Sequence, residues 1–259
     1  MLGVFLRLSV CQLPDNLSLD HPAWADLLRR IEIDPPNIAV LNEMPFGPWI
    51  ANGDTFDPAL AKASVEEHER ALPVLLNMST PVLSSRPVSG PRKLSNEAFL
   101  IAGGRYQPIH QKHFFPQEPG FFEDAWFAPQ RPGFDLIEYH RLKIGVLLCT
   151  ELMFNEWARH YRRQGAHVIV VPRASGASQK WYTAAAMAAI VSGCYVLSSN
   201  RSPAEHDQDS NFAGRGFAFS PVGELLAETS PSNPLVSVEI DVARVAEAQG
   251  SYPCYVREL

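Results

Sequence analysis

The sequence predicts an α/β fold in which two mixed β-sheets pack together and helices lie outside. Three observations predict it. Short apolar runs alternate with stretches of helical length and helical spacing through the first and middle parts of the chain. Neighbouring apolar runs meet at tight-turn residues such as Gly103-Gly104, which adds hairpins and so antiparallel pairs. The strand candidates are also too many for one flat sheet.

The elements follow in order. Residues 3–13 form an apolar first strand. Residues 22–33 form a helix, with Asp20 as N-cap and Pro22 in the first turn. A buried strand spans 37–43. A helix opened by Asp57 and Pro58 spans 58–72, and a strand spans 80–86. Strands 96–104 and 104–112 share the glycine turn. A loop rich in Phe, Pro and Glu covers 113–133. Strands 134–140 and 143–149 follow, then an amphipathic helix over 152–164 that stops at Gly165. Strand 167–172, helix 178–192 and strand 194–200 come next. A hairpin over 212–228 turns at Pro221-Val222-Gly223, and 235–241 is the last strand before a short helix and an extended tail.

Composition narrows the function. The chain has 259 residues, 46% hydrophobic and 19% charged, which excludes a disordered chain. No apolar run is long enough to cross a membrane, and the N-terminus reads as a buried strand, not a signal peptide. A net charge of −6 argues against a nucleic-acid partner. Cys11, Cys149, Cys194 and Cys254 lie far apart in mostly apolar contexts, as in a cytoplasmic protein with free thiols. No linker or repeat divides residues 1–259, which read as one domain.

Three polar residues end otherwise apolar strands: Glu43, Lys112 and Cys149. Reactive groups of α/β folds gather just past strand ends. The three form a chemically coherent set. A thiol attacks a carbonyl as thiolate and needs a proton acceptor. A carboxylate takes that proton and returns it to a leaving amine. An ammonium group, with the backbone N–H of Thr150, stabilises the oxyanion. Each residue alone has a structural reading: a core cysteine, a loop-capping carboxylate, a surface lysine.

The segments IAVLNEMPFG, PIHQKHFFPQEPGFFE and KIGVLLCTELMFNEWAR resemble the nitrilase superfamily of carbon–nitrogen hydrolases. GAHVIVVPRAS, SSNRS, GRGFAFSPVGELLAE and VSVEID extend the resemblance along nearly the whole chain. It implies a four-layer α-β-β-α sandwich, a catalytic Glu43-Lys112-Cys149 triad and a homodimer joined through helices such as 152–164 and the C-terminal tail. It also implies a second glutamate after the lysine. Glu118 matches best, with Glu123 the competitor. Asn42 stands where the family usually has proline, and Asn155-Glu156 where it often has Pro-Glu.

Cys149-Thr150-Glu151 differs from the Cys-Trp-Glu of nitrilases proper, and Leu152-Met153 stands where N-carbamoylases of D-amino acids carry arginines. An amidase acting on a small amide or N-carbamoyl compound is the economical reading. A true nitrilase, an ammonia-supplying domain and a silent binding module are the alternatives. Phe46 and Trp49 after Glu43, Phe121, Phe122 and Trp126 after Lys112, and Trp181 are candidates for an aromatic pocket wall, with cover of the core or a dimer interface as the alternative. Arg173, at a strand end, is a candidate for anchoring a substrate carboxylate or for pairing with Glu151, with Arg201 and Arg215 behind it as carboxylate anchors. His110 and His113 point to opposite faces if both lie on a strand, which makes a poor metal pair. The chemistry requires no metal or cofactor.

Overall fold

The computed structural model describes residues 5–204, 207 and 210–256; Gly3, Val4 and the last residues of the tail lie outside them. The described residues form twelve strands in two sheets. The first contains β1 (Phe5–Pro14), β2 (Ile38–Val40), β3 (Val82–Ser89), β4 (Leu94–Ala102), β5 (Arg105–Gln111) and β12 (Leu235–Asp241). Its order is β5-β4-β3-β2-β1-β12. The second contains β6 (Ile137–Tyr139), β7 (Leu142–Val146), β8 (Val168–Arg173), β9 (Tyr195–Ser202), β10 (Phe217–Phe219) and β11 (Leu225–Glu228), in that spatial order. β1 joins the two. Its first residues pair with β2 and β12, while Gln12, Leu13 and Pro14 pair with β9.

Side-chain alternation builds the layers. Leu8 and Val10 of β1, Ile38 and Val40 of β2, and Val168 and Val170 of β8 meet in one core between the sheets. Their neighbours Cys11, Leu13, Ala39 and Leu41 face outward. They bury Trp24, Leu27 and Ile31 of α1 (Pro22–Ile33) and Ala71 and Leu75 of α2 (Pro58–Leu76). Ile169 and Val171 do the same for α4 (Asn155–Gln164) and α5 (Gln179–Ser192). Three cores separate four layers, with the sheets inside and the helices outside. Two further helices are short: α3 (Glu123–Trp126) and α6 (Val242–Gly250).

Several boundaries differ from the sequence expectation. His21, not Asp20, caps α1, because Pro22 is the first helical residue and the cap is its neighbour; His21 Nδ1 accepts from Ala23 N at 3.1 Å. Asp57 does cap α2. The Gly103-Gly104 turn is confirmed, with φ values of +56° and +71°, both in the left-handed region that such a turn requires. Residues 134–136 are not strand. Phe134 takes a φ of +67° and stacks on Trp157 at 3.6 Å. The predicted helix 152–164 is a 3-10 turn over Cys149–Met153 followed by α4.

The topology carries the candidate residues to one edge. β1, β2 and β3 run parallel, as do β7, β8 and β9. β5 is antiparallel to β4, which is antiparallel to β3, so β5 ends on the same side as β2. Glu43 follows β2, Lys112 follows β5 and Cys149 follows β7. A packing test concerns that last strand. A Cβ on Gly145 would sit 2.6 Å from the Tyr161 ring, whose hydroxyl donates to the Val146 carbonyl at 2.6 Å. Gly145→Ala is expected to destabilise the protein by about 1–3 kcal/mol in urea unfolding, through overpacking.

Candidate active site

Lys112 is fully buried, and its ammonium lies between two fully buried carboxylates. Nζ donates to Glu43 Oε1 at 2.8 Å and to Glu123 Oε2 at 2.6 Å. Asn96 on β4 donates a second bond to Glu43 Oε1 at 2.7 Å. That leaves Glu43 Oε2 and Glu123 Oε1 buried without a partner, two acceptor atoms with capacity to spare. Burial alone would drive the Lys112 proton off; Glu123 and Glu43 outweigh it and hold the ammonium well above its ordinary range. Burial pushes the Glu123 carboxyl up to about 8, with Lys112 opposing and Glu43 adding to the rise.

Cys149 opens the 3-10 turn with a φ of +47°, the sharp elbow that turns its side chain out of the strand line. Burial holds its thiol well above the ordinary range. The Glu43 charge adds to the rise and the Lys112 charge opposes it. Cys149 lines a cleft of about 250 Å³ with Glu118, Phe121, Glu123, Thr150 and Trp181.

The elbow and the lysine are tied to one another through Glu151. Its fully buried carboxylate accepts from Leu148 N at 2.8 Å, from His113 N at 2.7 Å and from His110 Nε2 at 2.7 Å. Phe134 N donates to His110 Nδ1 at 3.3 Å, which puts the His110 proton on Nε2. One carboxylate therefore pins the residue after Lys112 and the residue before Cys149. Arg201 does the same for the Glu43 loop. It donates to the Met44 carbonyl and to the Gly47 carbonyl at 3.1 Å, pairs with Asp15, and lies over Trp49 and Phe212. Asn42, in place of the family's usual proline, donates to the Leu13 carbonyl at 2.8 Å.

Several expectations are corrected. Glu118 does not hold the lysine: it is exposed on the cleft rim, and Glu123 makes that contact. The first turn of α3 folds Glu123 back under the sheet edge, which spacing along a loop does not reveal. Phe46, Trp49 and Trp126 are buried behind the cleft, not on its wall. Phe46 packs on Trp24 and His68, Trp49 Nε1 donates to the Gly120 carbonyl, and Trp126 Nε1 donates to the Gly53 carbonyl. Phe121 and Trp181, also expected at the wall, do line it. Arg173 does not pair with Glu151 and lines a neighbouring cleft. His110 and His113 are not on opposite faces. β5 ends at Gln111, the chain bends, and the rings stack 5.6 Å apart. With Glu151 they are the one cluster of three or more His, Cys, Asp or Glu residues among the described residues whose donor atoms lie close enough for a metal ion. Both Glu151 oxygens and both His110 nitrogens are already hydrogen-bonded.

The family model for carbon–nitrogen hydrolases matches residues 61–249, well over half of the chain. The chain belongs to the carbon–nitrogen hydrolase family. Among its relatives is the N-carbamoylputrescine amidase of Arabidopsis thaliana, 29% identical over 244 residues, which cover 86% of this chain and 81% of that protein. The enzyme of the same name from Solanum tuberosum is 27% identical over 174 residues. That match takes in 61% of this chain, which spans 58% of the length of that relative. Among solved structures, a carbon–nitrogen hydrolase from Helicobacter pylori G27 superposes with a TM-score of 0.82 at 24% identity. The superposition covers 97% of this chain and 94% of that one. An amidase from Nesterenkonia sp. superposes at 0.74 and 17% identity, covering 93% and 92%. These likenesses establish the fold, a mixed-sheet α/β sandwich.

Two predictions follow from the buried charges. Glu123→Ala leaves Lys112 with one partner and is expected to lower stability by about 3–5 kcal/mol in denaturant unfolding, as removal of one member of a buried pair does; Glu118→Ala is expected to cost far less. Because its pKa is raised, the Cys149 thiolate is scarce near neutrality. Its modification by methyl methanethiosulfonate, followed at the Cys149 peptide by mass spectrometry, is expected to rise with pH through 9 without a plateau. A plateau near pH 7 would mean a preformed thiolate.

Proposed function

We propose that the protein is a thiol-dependent amidohydrolase that cleaves the C–N bond of a small amide or N-carbamoyl compound, with residues 1–259 acting as one hydrolase domain. One observation carries this reading. A lysine locked between Glu43 and Glu123 stands at the same end of the two sheets as Cys149, which feels the Glu43 and Lys112 charges, and Glu43 keeps a free carboxylate oxygen. The names of the relatives, N-carbamoylputrescine amidase, omega-amidase and citrullinase among them, support the same bond type.

Glu43 takes the Cys149 proton as Sγ attacks the carbonyl carbon. Lys112 and the Thr150 backbone N–H receive the oxyanion. Collapse breaks the C–N bond, and Glu43 gives its proton to the departing ammonia or amine. A thioester on Cys149 remains. Water then attacks it with Glu43 as base, and the carboxylic acid leaves as Cys149 regains its proton. The high thiol pKa fits this order, because the proton moves only once substrate is present. Glu123 holds Lys112, and its unpartnered Oε1 is an acceptor toward the substrate amide. No metal or cofactor is needed for these steps.

The same reading takes the enzyme as a cytoplasmic homodimer. Four unpaired cysteines support a reducing compartment. Tyr252 and Tyr255, exposed on the C-terminal tail, support a partner there.

Ammonia release from a panel of primary amides, N-carbamoyl compounds and nitriles tests the function. Turnover of at least one amide or carbamoyl compound is expected. Cys149→Ala and Glu43→Gln are each expected to lower it by about 10³-fold or more, because the triad acts as a unit. Activity that persists in Cys149→Ala contradicts the mechanism.

A further inference from the structure

A second cleft, about 110 Å³, shares Gly176, Ala177, Ser178 and Trp181 as a wall with the cleft that holds Cys149. Two arginines line it, Arg173 and Arg215, and none of its other lining side chains is charged. Arg173 is only 2% exposed. A guanidinium so far from water is ordinarily matched by a carboxylate. Among the described residues Arg173 has none. Its partners are Ser198 Oγ at 2.9 Å, Ser175 Oγ at 3.0 Å and the Arg215 carbonyl at 2.9 Å, all neutral oxygens. Each nitrogen has one partner, so N–H groups are left over. The faces of Phe217 and Trp181 hold the guanidinium plane.

Arg215 is held in place at a cost. It has a φ of +58°, in the left-handed region that favours glycine. Its N–H is fixed by Gln12 Oε1 at 3.0 Å and its carbonyl by Arg173. Its side chain is 64% exposed, and its approach to Glu228 is loose at 3.8 Å. The backbone is fixed, and the exposed guanidinium, which lines the cleft, keeps only this loose contact with Glu228 among the described residues.

We propose that this cleft is an anion subsite for the substrate's far end, and that the natural substrate carries a carboxylate tail beyond the scissile amide. Resting on the amidase reading above, the inference assigns Arg215 and Arg173 as specificity-determining residues.

Three amides test it that share a three-carbon chain beyond the amide carbonyl and differ in what ends it: glutaramate with a carboxylate, butyramide with no charged group and 4-aminobutyramide with an ammonium group. Their binding to the Cys149→Ala protein is measured by calorimetry, which does not depend on turnover. Glutaramate is expected to bind about tenfold or more tighter than butyramide, as suits a charge-assisted pair. Arg215→Gln on the same background is expected to narrow that ratio by about the same factor. Equal binding of all three, tighter binding of 4-aminobutyramide, or a ratio unmoved by Arg215→Gln overturns the subsite. Tight glutaramate binding with no turnover of any amide by the wild-type protein would retain the subsite and overturn the amidase reading instead.

Discussion

The Lys112 ammonium, buried between two carboxylates, is the interaction on which the rest of this site depends. Removing three charges from water costs several kcal/mol each, and only close, correct geometry offsets it. The geometry must come from backbone far apart in sequence. Glu43 follows β2, Lys112 follows β5, and Glu123 returns on α3. The parallel relation of β2, β3 and β5 delivers Glu43 and Lys112 to the same edge, and α3 brings Glu123 back to them. β1, shared between the sheets, brings the β7 end with Cys149 alongside.

Holding those charges explains the polar residues around them. Glu151 and His110 couple the segments before Cys149 and after Lys112, where a one-residue slip would misplace both. Arg201 grips the carbonyls past Glu43, where Met44 takes a φ of +43°. The left-handed residues Met44, Phe134 and Cys149 all lie near the site, and the clamps beside them oppose the strain they store. Stability is spent there to fix the nucleophile, its base and the oxyanion donor before substrate arrives.

Much of this was legible in the sequence. Apolar periodicity located the strands, and a polar residue closing each of three apolar runs marked Glu43, Lys112 and Cys149. Ordered motifs supplied the family. Local pattern failed where the chain folds back on itself. Nothing in the spacing of Glu118 and Glu123 tells which one α3 turns inward. Aromatics near Glu43 and Lys112 looked like pocket wall, yet Phe46, Trp49 and Trp126 carry the loops from behind. His113 escaped a period-two reading because the strand ends before it. One signal was available and unused: Ser95, Asn96 and Glu97 are three polar residues at the start of an otherwise apolar strand, and Asn96 turns out to bond Glu43.

The central claim is that Cys149 forms the covalent intermediate while Glu43 moves the protons. Rapid-quench mass spectrometry of the protein mixed with a turned-over amide tests it most directly. The account predicts an acyl group on the Cys149 peptide, formed as the amine is released and lost on hydrolysis, with Glu43→Gln unable to form or clear it at the wild-type rate. Product formation with no adduct on Cys149 at any time, or an adduct on another residue, would contradict it.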